Sequence, residues 1–268
     1  SFGTGVSRSL SDLRRVYEQT AGIRLVASSF YDRFNDRLAL FLKRAVKLAC
    51  ETMSEPMESL SGKLANFNDL LVTDATVIKL HDFLEKRFPA CRTNHTKASL
   101  KLHVVMSVLS VSPRTIRITS GRKHESKVIR VGPWMKDRLL LMDLGYYDFS
   151  LFERLERNGG YFISRLKDNA NPLITKDYGN CRGRSIDVTG KKLQDVLPKL
   201  KRKFFDVEVE LKVNRRKYGD NQNVVTKRFR AVGVYNDESG AYHIYVTNVP
   251  ADSLTAEDVA LTYRCRWE

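Results

Sequence analysis

Residues 138–167, RLLLMDLGYYDFSLFERLERNGGYFISRLK, constrain the fold of this chain most strongly. The apolar run of residues 139–142 is too short for a helix and is typical of a strand buried on both faces. Asp148 is placed to cap a short amphipathic helix, residues 158–160 end that helix, and the apolar residues after them predict a second buried strand. The stretch therefore predicts a strand–helix–strand unit of an α/β sheet. Asp143 would lie at the carboxyl end of its first strand, where open α/β sheets carry their chemistry.

A second acid interrupts an apolar, β-branched stretch, residues 70–80, that predicts another strand. Asp74 lies in the middle of that stretch, on the same face as apolar neighbours. A carboxylate inside such a strand is costly to bury unless it is paired, hydrogen-bonded or bound to a metal ion. The structural alternative, a satisfied polar residue near a strand end, fits Asp69 better. We therefore expect Asp74 to act together with Asp143.

Hydrophobic periodicity predicts the remaining elements. Residues 30–50 are expected to form one amphipathic helix that packs against the core, and residues 168–185 are expected to form a loop. Further strands are expected over residues 98–111, 114–119, 205–213, 224–235 and 241–248. The first two of these would be joined by a turn at Ser112 and Pro113 and would form an antiparallel meander with the strand that holds Asp74. The later strands of the central sheet would be parallel.

The last residues predict a helix that begins at a near capping box formed by Thr255 and Asp258 and continues to the end of the chain. Its buried stripe is expected to consist of three residues at four-residue spacing, Val259, Tyr263 and Trp267. Arg266 would lie on a neighbouring part of that face. Two regions result: an N-terminal helical region, residues 1–64, and an α/β domain, residues 65–268, with a β-rich insertion at about residues 168–240.

The net charge of +15 is concentrated in two segments. Residues 91–130 carry nine Lys or Arg against one acid, and residues 199–230 carry eleven against four, so the rest of the chain is neutral. Clustered positive charge indicates a polyanionic partner, most often nucleic acid. A generally basic solvated surface is the alternative, and a membrane surface is disfavoured because neither segment is a basic amphipathic helix. Two basic clusters within these segments are expected to hold the duplex: Arg114, Arg117, Arg122, Lys123 and Lys127, and Arg215, Arg216, Lys217, Lys227, Arg228 and Arg230. The candidate DNA contacts among them are Arg122, Lys123, Arg215, Arg216 and Lys217.

The bulk sequence excludes several other classes of protein. The four cysteines include no C-x-x-C pair, so neither a zinc site nor a disulfide framework is indicated, and reduced cytosolic thiols are expected. No apolar run approaches the roughly 20 residues of a membrane-spanning helix. The first residues lack an initiator Met and the apolar core of a signal peptide, which suggests a fragment or a processed chain.

Three blocks of sequence, in order, resemble the insertion-sequence transposases of prokaryotes that have a DDE active site. They are LVTDATVIKL, LLLMDLGYYDFSLFERLERNGGYFISRLK and VTNVPADSLTAEDVALTYRCRWE. Within that family the chain resembles the group with the signature Tyr-x2-Arg-x3-Glu-x6-Lys, of which Tyr263 and Arg266 match the first part. The resemblance covers about residues 65–268. It implies a ribonuclease H-like α/β fold, a mixed sheet flanked by helices, with the β-rich insertion between the fourth-strand Asp and the C-terminal helix.

The resemblance also implies a chemistry and a set of partners. Asp74 and Asp143 would be catalytic and would hold two Mg²⁺ or Mn²⁺ ions, which serve cleavage and strand transfer at insertion-sequence ends. Tyr263 and Arg266 would contact the DNA backbone near the cut, although a core tyrosine and a surface arginine are the structural alternatives. The expected partner is double-stranded DNA, bound by a homodimer in the synaptic complex. The expected location is the cytoplasm of a prokaryote, in association with the nucleoid.

One part of the signature is missing from the sequence. Its Glu would fall two residues beyond Glu268, so only two of three catalytic carboxylates are present. Two explanations stay open: the true chain continues, or this is a truncated and inactive copy. The alternatives to a working transposase are therefore an inactive or domesticated DNA-binding relic, and a ribonuclease H-like nuclease that cuts without joining.

Overall fold

The computed structural model describes residues 9–53, 59–91, 96–179, 187–200, 202–214 and 224–267. Two compact units divide the chain, Ser1–Thr52 and Met53–Glu268. The helices of the first unit are α1 (Leu10–Ala21), α2 (Ala27–Tyr31) and α3 (Asp36–Met53).

The prediction of a single helix over residues 30–50 is wrong, because α2 ends at Tyr31 and a separate helix, α3, begins at Asp36. The Asn35 side chain accepts hydrogen bonds from the backbone N–H groups of Arg37 (3.0 Å) and Leu38 (3.2 Å). An Asn in this position caps the first turn of a new helix, so α3 starts where the local polar contact dictates. Phe41 and Leu48 of its apolar stripe are 65% and 66% exposed.

The second unit is built on one mixed sheet. Its strands are β1 (Asp69–Leu80), β2 (Ala98–Ser107), β3 (Ser112–Ser120), β4 (Arg138–Met142), β5 (Tyr161–Arg165), β6 (Leu173–Asp177), β7 (Phe204–Asn214), β8 (Val224–Asn236) and β9 (Ala241–Thr247). Among the described residues these nine strands lie in the order β3-β2-β1-β4-β5-β9-β8-β7-β6. The three neighbours β1, β4 and β5 are parallel, and every other pair is antiparallel. The predicted meander of β1, β2 and β3 is confirmed.

Helices cover both faces of this sheet. They are α4 (Phe149–Arg157) and α6 (Ala256–Arg264), and a shorter helix, α5 (Leu193–Val196), precedes β7. Leu140 and Met142 of β4 belong to the same buried cluster as the apolar stripe of α4, whereas Leu139 and Leu141 belong to the cluster that contains α6. Residues 139–142 have no exposed surface, as predicted for a strand buried on both faces. The predicted fold class, a mixed α/β sheet flanked by helices, is therefore confirmed.

Aromatic packing fixes α4 on its face of the sheet. The Phe152 and Phe162 rings stack with centroids 4.2 Å apart and planes 12° apart, and Phe229 of β8 meets both rings edge-on. Phe152 and Phe162 are completely buried, so truncation of either ring to Ala should cost about 3–5 kcal/mol. These contacts join the strand–helix–strand unit to a strand of the β-rich insertion.

The start of α4 is capped as the sequence predicts. The Asp148 carboxylate accepts a hydrogen bond from the backbone N–H of Ser150 at 2.8 Å and from Lys127 Nζ at 2.7 Å. Burial acts to raise the pKa of Asp148, but the Lys127 ammonium and the Ser150 hydrogen bonds outweigh it and lower the pKa. The cap therefore ties α4 to the segment that follows β3.

Two expectations about the strands are wrong. β2 ends at Ser107, and the turn to β3 lies at residues 108–111 instead of at Pro113, because Ser107 Oγ accepts the Ser110 N–H at 3.1 Å and stabilises the earlier turn. The predicted loop over residues 168–185 contains β6, whose Ile174 is 1% exposed and pairs with Val209 of β7. A five-residue strand of this kind is stabilised by pairing with its neighbour, which local sequence does not reveal.

The strands of the β-rich insertion do not form a separate sheet. β6, β7 and β8 join β5 through β9 and so extend the central sheet. Arg230 of β8 is 6% exposed. Its guanidinium donates two hydrogen bonds to the Asp206 carboxylate, at 2.8 and 2.5 Å. It donates two more, each at 3.2 Å, to the carbonyl oxygens of Val249 and Pro250. The expectation that Arg230 belongs to the DNA-binding charge is wrong, because its guanidinium is used inside the protein. Among the described residues, the structure has no helix with the length and apolar character needed to cross a bilayer.

Candidate active site

The parallel pairing of β1 and β4 brings the two predicted acids to the same edge of the sheet. The register runs from Asp69 opposite Arg138 to Val72 opposite Leu141. Asp143 keeps an extended backbone, with φ −82° and ψ 169°, so the same register continued by two residues puts Asp74 opposite Asp143. Neighbouring strands lie about 4.8 Å apart, so two carboxylates in these positions can share a ligand.

The argument that singled out Asp74 from the sequence is wrong in one respect. Asp74 is exposed, and the Asp143 side chain is 44% exposed. The buried acid of β1 is Asp69, which is completely buried beside Arg138, and burial raises its pKa against the opposing effects of Ser107 and Arg138. The alternation of residue types along β1 could not show which of Asp69 and Asp74 is buried, since β1 is buried at its start and exposed from its middle onward.

Tyr263 and Arg266 lie beside Asp143. The Tyr263 hydroxyl donates to the carbonyl oxygen of Met142 at 3.2 Å, and Arg266 Nη1 donates to the Tyr263 hydroxyl at 2.9 Å. Arg266 Nη1 is also 3.5 Å from Asp143 Oδ1, and the Arg266 side chain is only 4% exposed. Burial raises the pKa of Tyr263, and the neighbouring Arg266 opposes that rise. The structure therefore brings together three of the residues named from the sequence.

Another expectation about the last helix is wrong. α6 starts at the predicted capping box, in which Thr255 and Asp258 each bind the other's backbone, but it ends at Arg264. Trp267 consequently leaves the helical stripe and is 76% exposed, while Val259 and Tyr263 are buried as predicted. The Arg266 guanidinium carbon lies 5.0 Å from the Trp267 ring centroid and 5.4 Å from the Tyr263 centroid, distances typical of cation–π contacts.

The turn after Asp143 is held by residues that sequence reasoning missed. A 3₁₀ turn over Leu144–Tyr146 follows Asp143, with the Tyr146 N–H donating to the Asp143 carbonyl oxygen at 2.9 Å. The Glu125 carboxylate packs against Gly145, where an added Cβ would lie 1.9 Å from Oε2. Lys101 Nζ holds the other oxygen of Glu125 at 3.1 Å. The glycine directly after Leu144 is the signal that could have indicated such a close approach.

Tyr146 is a further residue that sequence reasoning missed. It is 1% exposed, and burial raises its pKa to about 12. Thr73 opposes that rise, while the negative charges of Glu125 and Asp74 add to it. The phenol therefore stays neutral at physiological pH and lies within electrostatic reach of Asp74.

The predicted DNA-binding cations differ in their exposure and in their partners. Arg122 and Lys123 are exposed on the segment that follows β3, as a phosphate-binding role requires. Lys127, from the same cluster, is paired with Asp148. Arg215, Arg216 and Lys217 lie outside the described residues.

The donor set of this edge suits a hard divalent cation completed by substrate. Within the ranges that the structure describes, three or more His, Cys, Asp or Glu side chains are nowhere grouped for metal binding. Mg²⁺ commonly binds through one or two carboxylates together with substrate phosphate oxygens and water. Two accessible carboxylates on adjacent strands, Asp74 and Asp143, fit that mode.

Comparisons with known proteins point to one family. The chain is 22% identical to the transposase of insertion sequence element IS1151 from Clostridium perfringens, over 97% of this chain and 60% of that protein. It is 21% identical to the transposase of element IS231F from Bacillus thuringiensis subsp. israelensis, over 88% of this chain and 55% of that protein. The chain thus spans a little over half the length of these relatives.

A cryo-EM structure of a piggyBac transposase synaptic complex with hairpin DNA is similar with a TM-score of 0.37 and 9% identity, over 74% of this chain and 37% of that chain. The family described as "Transposase DDE domain" matches residues 65–268, which is most of the chain. This chain therefore belongs to the family of transposases with a DDE domain.

Proposed function

We propose that the full-length protein is a DNA transposase that cleaves the ends of an insertion sequence and joins them to a target duplex. Membership of the DDE family supports the reaction class. The observation that carries the proposal to particular residues is the parallel register of β1 and β4, which aligns Asp74 with Asp143 at the carboxyl edge of the sheet. Open α/β sheets commonly bind their ligands at this edge.

Asp74 and Asp143 would hold two Mg²⁺ or Mn²⁺ ions. Bound divalent ions activate the attacking oxygen and stabilise the leaving oxygen of a phosphodiester. The exposure of both carboxylates leaves room for phosphate oxygens between them. Lys101 and Gly145, through Glu125, would keep the turn after Asp143 in one conformation.

Arg266 would bind a phosphate of the DNA strand next to the scissile bond. A planar guanidinium matches two phosphate oxygens at once, and this guanidinium is already oriented by the Tyr263 hydroxyl. Tyr263 is 3% exposed and would act through Arg266 as a positioning residue. Arg266 contacts Asp143, so phosphate binding would exchange one anionic partner for another.

Arg122 and Lys123 would contact the duplex farther from the cut, as would Arg215, Arg216 and Lys217. Contacts with several phosphates release counterions, so we expect DNA affinity to fall steeply as salt concentration rises. Two transposon ends must be brought together for joining, and a homodimer on DNA would supply two active sites for them.

The test uses the full-length protein, a labelled duplex that carries the insertion-sequence end, and MgCl₂. Asp74→Asn and Asp143→Asn should each lower cleavage by at least about 10³-fold while DNA affinity changes by less than threefold, because metal-ion catalysis contributes several kcal/mol. Asp252→Asn is the matched control, since Asp252 is exposed in the turn after β9, at the opposite edge of the sheet. Normal cleavage by either active-site variant would remove that residue from the proposed centre.

A supercoiled target plasmid separates the proposal from its rivals. A transposase yields joined products, whereas a nuclease yields cut ends alone. A DNA-binding relic retains salt-dependent binding and shows neither product at any concentration of Mg²⁺ or Mn²⁺.

A further inference from the structure

Three strands of the sheet continue past the candidate active site. In the described part of the chain β4 pairs with β1 from Asp69 to Val72, whereas β1 runs on past Asp74 to Leu80. β2 pairs with this outer part of β1, up to Ala98 opposite Leu80, and β3 pairs with β2 in turn. Residues 75–80 span about 20 Å of extended chain, so the tip of this projection lies about 20 Å beyond Asp74. We call the projection the finger, and it comprises residues 75–91, 96–103 and 116–123.

Phe83 lies at the tip of the finger, with 85% of its surface exposed. The turn around it is held by short-range hydrogen bonds. His81 Nδ1 accepts the Phe83 N–H at 3.3 Å, and the His81 carbonyl oxygen accepts the Leu84 N–H at 2.9 Å. The Phe88 carbonyl oxygen accepts the Ser99 N–H at 2.9 Å, which fastens the turn to β2. The phenyl ring is therefore presented to solvent by an ordered turn and is not part of the core.

The surface around Phe83 is cationic. Asp82 Oδ1 accepts the Lys97 N–H at 3.4 Å, and the Pro89 carbonyl oxygen accepts the Arg122 N–H at 3.3 Å, so three segments of the finger meet near its tip. The exposed acids of the finger are Asp82 and Glu85, and its exposed cations are Lys79, Lys86, Arg87, Lys97, Arg122 and Lys123. This excess of positive charge indicates a polyanionic partner.

An apolar side chain surrounded by cations suits duplex DNA. A single exposed apolar residue is common on soluble proteins, but DNA-bending proteins combine the two features. They insert Phe, Leu, Ile or Met side chains between base steps, which kinks the duplex, while cations bind the phosphates. Successive base pairs are about 3.4 Å apart, so a distance of about 20 Å corresponds to about six base pairs. A duplex with its scissile bond at the two aspartates would therefore meet Phe83 about six base pairs from the cut.

We propose that the finger bends the DNA that contains the insertion-sequence end, with Phe83 inserted at a base step about six base pairs from the cut. The exposed cations of the finger bind phosphates on both sides of this step. The inference rests on the proposed function for the position of the cut. Insertion itself needs no metal ion and no cleavage, so it can be measured separately.

The experiment measures the affinity of the full-length protein, in EDTA, for labelled duplexes that contain the insertion-sequence end and its flanking DNA. One mismatched pair is moved through one helical turn on each side of the cut. A mismatched step is already partly unstacked, so binding should be about 5–20-fold tighter than to the paired duplex when the mismatch lies about six base pairs from the cut. Phe83→Ala should remove this optimum, and Phe83→Trp, which keeps a flat apolar ring, should retain it.

Two further variants separate insertion from charge and from general effects. Lys86→Gln should weaken the binding of all duplexes alike and lower the salt slope by about 0.9, the effect of one lost phosphate contact. Val111→Ala is the matched control, because Val111 is 81% exposed in the turn between β2 and β3, at the opposite edge of the sheet. It should bind every duplex as the unmodified protein does.

The inference is overturned if the unmodified protein shows no optimum, if the optimum survives in Phe83→Ala, or if Val111→Ala loses it. It is also overturned if Phe83→Ala lowers the mass of the DNA-free protein in light scattering, because the tip would then be a contact between two copies of the chain. Circular dichroism of each variant checks that the fold is retained. Failure of metal-dependent cleavage would count against the proposed function and leave this result standing.

Discussion

Arg266→Met should tighten the binding of divalent metal ions while it weakens the binding of DNA. Arg266 Nη1 is 3.5 Å from Asp143 Oδ1, so a metal ion that uses this carboxylate must displace the guanidinium. At this separation Coulomb's law gives about 1 kcal/mol in water and about 5 kcal/mol at an effective dielectric constant of 20. The Arg266 side chain is 4% exposed, but Asp143 is 44% exposed and solvent screens the carboxylate, so we use the lower of these values, about 1 kcal/mol.

A difference of about 1 kcal/mol corresponds to roughly a fivefold change in affinity. We therefore expect Mn²⁺ to bind Arg266→Met about fivefold more tightly, as measured by electron paramagnetic resonance of the free ion during titration. DNA affinity should fall, because the variant lacks the proposed phosphate contact. Methionine keeps much of the buried volume of the arginine stem, so the fold should be retained.

Arg264→Met is the matched control for charge. Arg264 is exposed at the end of α6, two residues before Arg266, so its removal changes the net charge equally without touching Asp143. The reasoning is refuted if Mn²⁺ affinity is unchanged or lower in Arg266→Met, or if Arg264→Met gives the same gain. In that case the contact with Asp143 does not compete with metal binding.

Three further variants test the packing around the site. Tyr263→Phe removes a buried hydrogen bond to Met142 and should lower the free energy of unfolding by about 1–2 kcal/mol in urea titrations. Gly145→Ala should be destabilising alone, because its Cβ would collide with the Glu125 carboxylate. In a Glu125→Ala background the same substitution should be nearly neutral. Additive effects of the two substitutions on the free energy of unfolding would contradict the contact. Asp148→Asn should lose stability relative to the parent at pH 7. Because the folded-state pKa of Asp148 is lowered, that difference should shrink as the pH falls below about 4, and a constant difference would contradict it.

Several features fixed by residues within four positions of one another could be predicted from the sequence. The Asp148 cap, the end of α4 at Asn158 and the capping box of Thr255 and Asp258 all appear where the pattern predicts them. A cap is a contact between a side chain and the backbone of its own first turn, so the sequence contains both partners. The continuous apolar run of β4 likewise determined that this strand lies inside the molecule.

The family resemblance also rests on local sequence, since Asp74 and Asp143 lie in short blocks that are recognisable on their own. What the blocks do not contain is the distance between them. That Asp143 falls beside Asp74 depends on the parallel register of β1 and β4, which joins strands about 70 residues apart in sequence. The exposure of Asp74 and the burial of Asp69 depend on how far the neighbouring elements cover β1.

The sequence by itself determined most strands of the sheet, the starts of α4 and α6, the burial of β4 on both faces, and the family that the chain resembles. Only the tertiary structure decided that β6 is a strand, that Arg230 is an internal cation and that Trp267 is exposed. It also decided that Arg266 meets Asp143 and that Glu125 supports the turn after it. The exposure of Trp267 follows from the end of α6 at Arg264. Each of the others depends on a partner 20 or more residues away, and the free energy of such contacts exists only once the sheet has formed.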